Sequence, residues 1–284
     1  MALSMYQEKI REPLSKIKHI IGIAAGKGGV GKSTVTVNLA LALKKAGYSV
    51  GVLDTDIYGP SVRMMLPEDL SPKQVGELIS PALCQGIPMI SMAYFRPDNQ
   101  ASVIRAPIAN KIIKQFLKSV SWGELDFLLL DFPPGTGDIQ ITLAQEANLN
   151  GVVMVTTPQN VAVMDVRKAM DMFEQVRVPI IGIVENMSYF VNVETNSKSY
   201  IFGKGGGEKL ALESGVPFLG PIPLDSKICE YGDLGKSLLN DENHLTAKAF
   251  SELANQFILH INLLKDQNKG ALKSFNLLWK DMKN

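Results

Sequence analysis

Cysteine is nearly missing from this 284-residue chain: two occur, Cys84 and Cys229, far apart in sequence. No disulfide framework and no Cys-x-x-Cys pair can be drawn from them, and a reducing compartment is the simplest setting. Net charge is nearly missing too. Lys and Arg number 29 against 28 for Asp and Glu, a balance of +1, which leaves no electrostatic footprint for nucleic acid. No apolar run reaches the roughly 20 residues that a membrane-spanning helix needs. The opening stretch MALSMYQEKIREPLSKIKH carries acids and has no apolar signal core, so no secretory leader is read and a cytoplasmic protein is expected. Internal repeats and low-complexity tracts are absent as well. What remains is ordinary globular composition, 46% hydrophobic and 20% charged. The length suits one large α/β domain or two small ones, and it can bury a core without disulfides.

Short apolar runs alternate with helical stretches over most of the chain. Residues 19–25 (HIIGIAA), 49–54 (SVGVLD), 127–131 (FLLLD), 151–156 (GVVMVT) and 179–185 (PIIGIVE) are predicted strands. Each is a continuous apolar run rich in Val, Ile or Leu, as a sheet covered on both faces requires. Residues 33–46, 109–120 and 161–176 are predicted helices between them. Strand alternating with helix predicts an α/β fold, a mostly parallel central sheet with helices on both faces.

Between the first predicted strand and helix lies GKGGVGKS, residues 26–33. It matches the phosphate-binding pattern G-x-x-x-x-G-K-[ST] in the strand-to-helix context that gives the pattern its meaning. Gly28, Gly29 and Gly31 let the backbone aim successive N–H groups at an anion. The helix that follows adds its positive N-terminal end. Lys32 can reach the β- and γ-phosphates of a nucleoside triphosphate, and the Ser33 hydroxyl can ligate Mg²⁺. A second lysine, Lys27, is more than one loop needs. It either reaches the phosphates of a partner subunit or is a solvated loop lysine.

Such a site also needs an acid near Mg²⁺ and a group that orients the attacking water. Asp131 ends the strand FLLLD, so its carboxylate emerges at the carboxyl edge of the sheet, where open α/β sheets bind ligands. Asp54 and Asp56 follow SVGVLD in the same way. The bland alternative for each is a cap or turn acid. The segment 131–138, DFPPGTGD, is stiff at Pro133 and Pro134 and free at Gly135 and Gly137. It can register a γ-phosphate and move on hydrolysis.

With these residues in view, a resemblance emerges. GKGGVGKST, with Lys27 after the first glycine, resembles the deviant P-loop of the MinD/ParA and nitrogenase iron-protein superfamily. LDTDIYGPS (53–61), WGELDFLLLDFPPGTGD (122–138), TTPQNVAVMDVRKA (156–169), GIVENMSYF (182–190), IFGKGGG (201–207) and FLGPIPLD (218–225) together resemble its Mrp/ApbC branch, ATP-dependent carriers of iron–sulfur clusters. The likeness runs from about residue 18 to 260. It implies an ATPase that dimerises face to face around two nucleotides, with Gly26, Lys27, Gly28, Gly29, Val30, Gly31, Lys32, Ser33 and Thr34 on ATP. It also implies Lys27 reaching the partner's ATP, Asp54 supporting Mg²⁺ with Ser33, Asp56 positioning the water and Asp131 as the second-strand acid. Asn186 matches the position that reads the adenine edge, where an amide can both donate and accept. The partners implied are a second copy of the chain, iron–sulfur assembly proteins and apo-protein clients.

The likeness breaks at the cargo clamp. Carriers of the branch usually have a Cys-x-x-Cys shortly after the VENMS-type motif, and two such pairs hold a bridging [4Fe–4S] cluster between subunits. Those positions fall here on Asn192 and Thr195, in a segment without cysteine. Clusters need soft thiolates, which neutral amide and hydroxyl oxygens replace poorly. Cys84 is expected in the core and Cys229 as buried or inert. From about residue 265 the chain leaves the pattern. Ala271, Leu272, Phe275, Leu278 and Trp279 share a helix face, and Lys269, Lys273, Lys280 and Lys283 make the remainder basic. That tail either docks on protein or lies on an anionic membrane. Cluster assembly and a MinD-like positioning role therefore both stand as expectations.

Overall fold

The computed structural model describes residues 12–56, 59–95, 106–192 and 194–270. After a short helix α1 (Glu12–Ser15), strand β1 (Ile17–Ala24) leads into helix α2 (Lys32–Lys45), then β2 (Val50–Asp54) and a single-turn helix α3 (Val62–Met65). Four short strands follow: β3 (Lys73–Val75), β4 (Leu78–Ser80), β5 (Ala82–Cys84) and β6 (Ile87–Ser91). The chain continues as α4 (Ala106–Ser119), β7 (Leu125–Asp131), α5 (Asp138–Glu146), β8 (Gly151–Thr156), α6 (Asn160–Gln175) and β9 (Ile180–Glu185). A small ribbon, β10 (Phe190–Val191) with β11 (Lys198–Ser199), precedes α7 (Gly206–Ser214), β12 (Phe218–Pro221), α8 (Ser226–Asp233) and the long α9 (Leu245–Gly270).

The central sheet has eight strands in the order β12-β9-β8-β1-β7-β2-β6-β5. Its pairs are parallel except β5 with β6, which is antiparallel. The α/β sheet predicted above is therefore the observed one. Its antiparallel edge and the outer strands β6 and β12 are not among the predicted strands. The β5–β6 turn is Gln85-Gly86, with φ of 47° and 74°, a pair of positive φ values of the kind that two-residue hairpins favour. β5 has three residues, and the apolar runs of β6 (IPMIS) and β12 (FLGP) are interrupted by proline or glycine, so none stands out beside its neighbours.

Alternate residues of each strand feed two cores. One face presents Ile21, Ile23, Val52, Leu129, Val153 and Val155 to α2 and α9. The other presents Ile20, Leu53, Leu128, Leu130, Val152 and Met154 to α4, α5, α6 and α7. Helix α2 is buried along most of its length, from Val35 through Leu43, because α9 covers the side that the sheet leaves open. A helix buried all round is apolar all round, as VTVNLALAL is.

Two cysteine expectations separate here. Cys84 is buried in β5, and burial pushes its thiol up to about 11, away from reactivity. Cys229 is exposed, which removes burial from its expected reading as buried or inert. Helix α8 has no fully buried residue: Ile228 packs partly buried against the first core, and Cys229 beside it faces out. Helix α9 runs unbroken past residue 265, and the amphipathic stretch from Ala271 on lies outside the described residues.

Candidate functional site

The site forms where β1, β2, β6 and β7 end together. Register places Ile23 beside Asp131, Asp131 beside Asp54, and Asp54 beside Ser91. Neighbouring parallel strands point in-register side chains to the same face. Asp54, Asp131 and Ser91 therefore form one row on the face that α2 covers. The loop 26–31 crosses above that row and brings the N-terminus of α2 down on it.

Glycine is required in this loop for two different reasons. Gly31 has φ of 80°, and a Cβ there would lie 2.1 Å from the Asn186 side-chain nitrogen. Gly26 is needed for close approach instead: its Cβ would come within 2.1–2.4 Å of the backbone of Asp165 and Val166 in α6. Gly29 shares the positive φ of Gly31, whereas Gly28 does not. Gly28 and Gly29 are exposed, and Lys27 is half-buried with no hydrogen bond or ion pair on its ammonium among the described residues.

Beneath the loop, Lys32 is buried and donates to Asp131 Oδ2 at 2.6 Å. Ser33 Oγ donates to the same oxygen at 2.7 Å. Thr36 Oγ1, one turn further along α2, lies 2.6 Å from Asp131 Oδ1. The Asp131 carbonyl accepts from the Thr55 N–H at 3.0 Å and the Thr55 hydroxyl at 2.6 Å. Asp54 accepts from Ser91 Oγ at 2.8 Å and from the Asp56 N–H at 3.1 Å. Burial first, then the negative charge of Asp131, raises the Asp54 carboxyl to about 7, against the pull of Ser91 and Lys32. Asp56 is half-buried, and its carboxylate accepts from the Gly59 N–H at 3.1 Å, closing its own turn. Thr34 is half-buried, with its hydroxyl 3.7 Å from Met65 Sδ.

The loop after Asp131 is tied down. Gly135 N donates to Ala25 O at 3.1 Å, and the buried Gln140 amide donates to Pro134 O at 2.7 Å. Asn186 also meets the phosphate loop: its amide donates to Val30 O at 2.9 Å. The preceding residue, Glu185, is fully buried and accepts from Ser188 Oγ at 2.5 Å and from the Gly207 N–H at 2.6 Å. The second glycine-rich stretch, GKGGG at 203–207, thus has this chain's own carboxylate at its helix N-terminus. It is a structural joint.

Thr36, Thr55, Ser91, Gln140 and Glu185 were not singled out by sequence reasoning. A hydroxyl on an apolar helix face, as in VTVNLA, is the one signal that could have pointed to any of them, and it bears on Thr36 alone.

Past Asn186, the ribbon of β10 and β11 holds the two positions where cysteines were expected by resemblance. Asn192 Oδ1 accepts from the backbone N–H groups of Glu194 and Thr195 at 2.9 and 3.1 Å, and Thr195 Oγ1 lies 2.7 Å from Ser197 Oγ. The tip is closed by an Asx turn.

A glycine loop between a strand and a buried helix, over two acids on adjacent strand ends, defines a P-loop nucleotide-binding protein. Residues 16–258 match the family model described as ParA, NUBPL iron-transfer P-loop NTPase. The chain belongs to that family. It is 52% identical over 237 residues to an iron–sulfur cluster carrier protein of Methanocaldococcus jannaschii, covering 82% of each chain. Among solved structures, it is similar to a nucleotide-binding protein from Archaeoglobus fulgidus in complex with ADP. The TM-score is 0.71 at 40% identity, covering 81% of this chain and 91% of the other. The cell division ATPase MinD of Pyrococcus furiosus shares the fold, with a TM-score of 0.61 at 22% identity over 85% of this chain and 99% of the other. Among the described residues, no helix is long and apolar enough to cross a membrane.

Proposed function

We propose that this chain is an ATP-binding and ATP-hydrolysing member of the iron–sulfur cluster carrier family that works in the cytoplasm as a nucleotide-switched homodimer. The observation that carries this is the buried contact of Lys32 and Ser33 with Asp131 under the phosphate loop. A lysine held at a helix N-terminus by a strand-end acid is poised to exchange that acid for a phosphate. Loop amides of residues 26–34 receive the β- and γ-phosphates while Lys32 turns from Asp131 to the γ-phosphate side. Asp54 and Asp131 face one buried lysine, and with the Ser33 hydroxyl they form a hard-oxygen set that fits a divalent cation such as Mg²⁺. Magnesium, when bound, neutralises charge between the β- and γ-phosphates. Asp56 opens its turn to orient the attacking water. Lys27, unengaged in its own loop, reaches the nucleotide of the partner protomer. Asn186 uses one N–H on Val30 O and retains an N–H and its carbonyl oxygen, the donor and acceptor that an adenine edge needs.

The cluster is cargo in this reading, not a resident cofactor. Its direct clamping by the β10–β11 ribbon is not proposed, because Asn192 and Thr195 offer amide and hydroxyl oxygens there. The work of this chain is then nucleotide-driven assembly with other iron–sulfur proteins or apo-protein clients. Calorimetry with Mg·ADP and phosphate release from ATP test the nucleotide half. Lys32→Ala should abolish both signals. Lys27→Ala should retain most binding and lose turnover that depends on dimerisation. No binding heat in the unaltered chain, or an equal loss of affinity in both variants, would reject this function or the role across the dimer, respectively.

A further inference from the structure

We propose that Thr36 and Ser91 are positioning residues for the two site acids: each buried hydroxyl pins one oxygen of a carboxylate and leaves the other aimed at the phosphate and magnesium side. The inference rests on the nucleotide function proposed above and adds to it two residues that no motif marks.

A carboxylate does not orient itself. The terminal torsion of aspartate is broad and nearly two-fold, so hydrogen bonds decide where its oxygens point. On Asp131, Oδ2 is held by Lys32 and Ser33, and Oδ1 by Thr36. Lys32 and Ser33 are the groups that a triphosphate and its cation recruit. Once they turn away, Thr36 is the side chain still bonded to that carboxylate. Its oxygen is fully buried, and it lies 3.1 Å from Lys32 O but 2.6 Å from the carboxylate. A charged acceptor at the shorter distance takes the proton.

Ser91 does the same for Asp54 in its ionised form, the form that a cation binds. Ser91 Oγ accepts from the Ala93 N–H at 3.1 Å, so its own O–H is directed at Asp54 Oδ2, 2.8 Å away. The other bond to Asp54 comes from the Asp56 N–H, in the turn that must open. Strand β6 places Ser91 in register with Asp54, and α2 places Thr36 one turn below Lys32. Both donors therefore stand on rigid elements, and neither has to move when nucleotide arrives.

The test is calorimetric. ADP is titrated into the full chain in EDTA, and Mg²⁺ is then titrated into the ADP-loaded protein, for the unaltered chain, Thr36→Val, Thr36→Ser and Ser91→Ala. Thr36→Val and Ser91→Ala should each weaken Mg²⁺ binding about tenfold, the scale of one charged hydrogen bond, while metal-free ADP affinity changes less than about twofold. Thr36→Ser, which keeps the hydroxyl, should bind Mg²⁺ like the unaltered chain. Unchanged Mg²⁺ affinity in Thr36→Val and Ser91→Ala, or an equal fall in metal-free ADP affinity, overturns the positioning role. So does a Thr36→Ser variant no better than Thr36→Val. Should thermal unfolding show that Thr36→Val does not fold, Ser91→Ala carries the same decision. If the unaltered chain takes up no ADP, the nucleotide function itself fails. If it does, and the variants match it, only this inference fails.

Discussion

Asp54 sits in an environment that works against its charge. It is fully buried at the end of β2, one strand from Asp131, and its carboxyl is raised to about 7 by burial and by that neighbour. The sign of the linkage follows. The native state holds this proton between the ordinary value of 3.8 and about 7, where the unfolded chain has lost it. Stability of the nucleotide-free protein therefore falls as pH rises through that window. Asp54→Asn removes the penalty and keeps an oxygen for Ser91. Its thermal midpoint in EDTA should exceed that of the unaltered chain at pH 8, by a stability on the order of 1–4 kcal/mol. The gain should shrink steadily as pH is lowered toward 4. A gain independent of pH would mean that Asp54 is not the titrating group. A site residue that destabilises its own fold is the usual mark of function placed over stability.

The informative element is the β10–β11 ribbon. Its tip is held by Asn192 and by the Thr195–Ser197 hydroxyl pair, all local contacts within a few residues. Its root is not local. Ser188 N bonds Ile222 O at 2.9 Å, Glu185 holds the start of α7, and Asn186 holds the phosphate loop. A tip so weakly tied to the core should tolerate exchange. Asn192→Cys with Thr195→Cys should leave the thermal midpoint within a few degrees of the unaltered chain. Reconstituted with iron and sulfide without oxygen, that double variant should gain the charge-transfer absorbance of a cluster, and the unaltered chain should stay colourless. Colour in the unaltered chain would mean that thiols elsewhere, such as the exposed Cys229, suffice. No colour in either would mean that the ribbon does not present these positions as the relatives' cysteines are presented.

At the scale of the whole molecule, one sheet carries two cores, and the phosphate loop is squeezed between them. The first core roots α2 and the second roots α6, whose backbone presses on Gly26. A ligand on that loop is then a ligand on the whole fold. Mg·ADP at a hundred times its dissociation constant should add about 2.7 kcal/mol to unfolding, seen as a rise of several degrees in thermal midpoint. Lys32→Ala should lose that rise. The same wedge explains what could be read in advance. The five predicted strands and the helices between them are present, with ends shifted by no more than three residues, because apolar runs and glycine punctuation are signals carried in the chain itself. Lys32, Ser33, Asp54 and Asp131 do converge, since each sits at the end of such a run. Cys229 is exposed because α8 turns Ile228 to the core and leaves the cysteine on its outer side, a difference that only the seating of the helix decides. The strands β5, β6 and β12 do not stand out because β5 has three residues and proline or glycine interrupts the apolar runs of β6 (IPMIS) and β12 (FLGP).

The sequence by itself determined the parallel α/β sheet, the loop that faces an anion, and the acids at the strand ends, because these depend on residue type at short spacing. Only the tertiary structure decided that Thr36 and Ser91 lie on those acids, that Glu185 closes the second glycine stretch, and that Asn186 rests on the phosphate loop. Those contacts join residues from 22 to 156 positions apart. Register across neighbouring strands and the seating of α2 on the sheet bring them together, and neither is a property of any short stretch of chain.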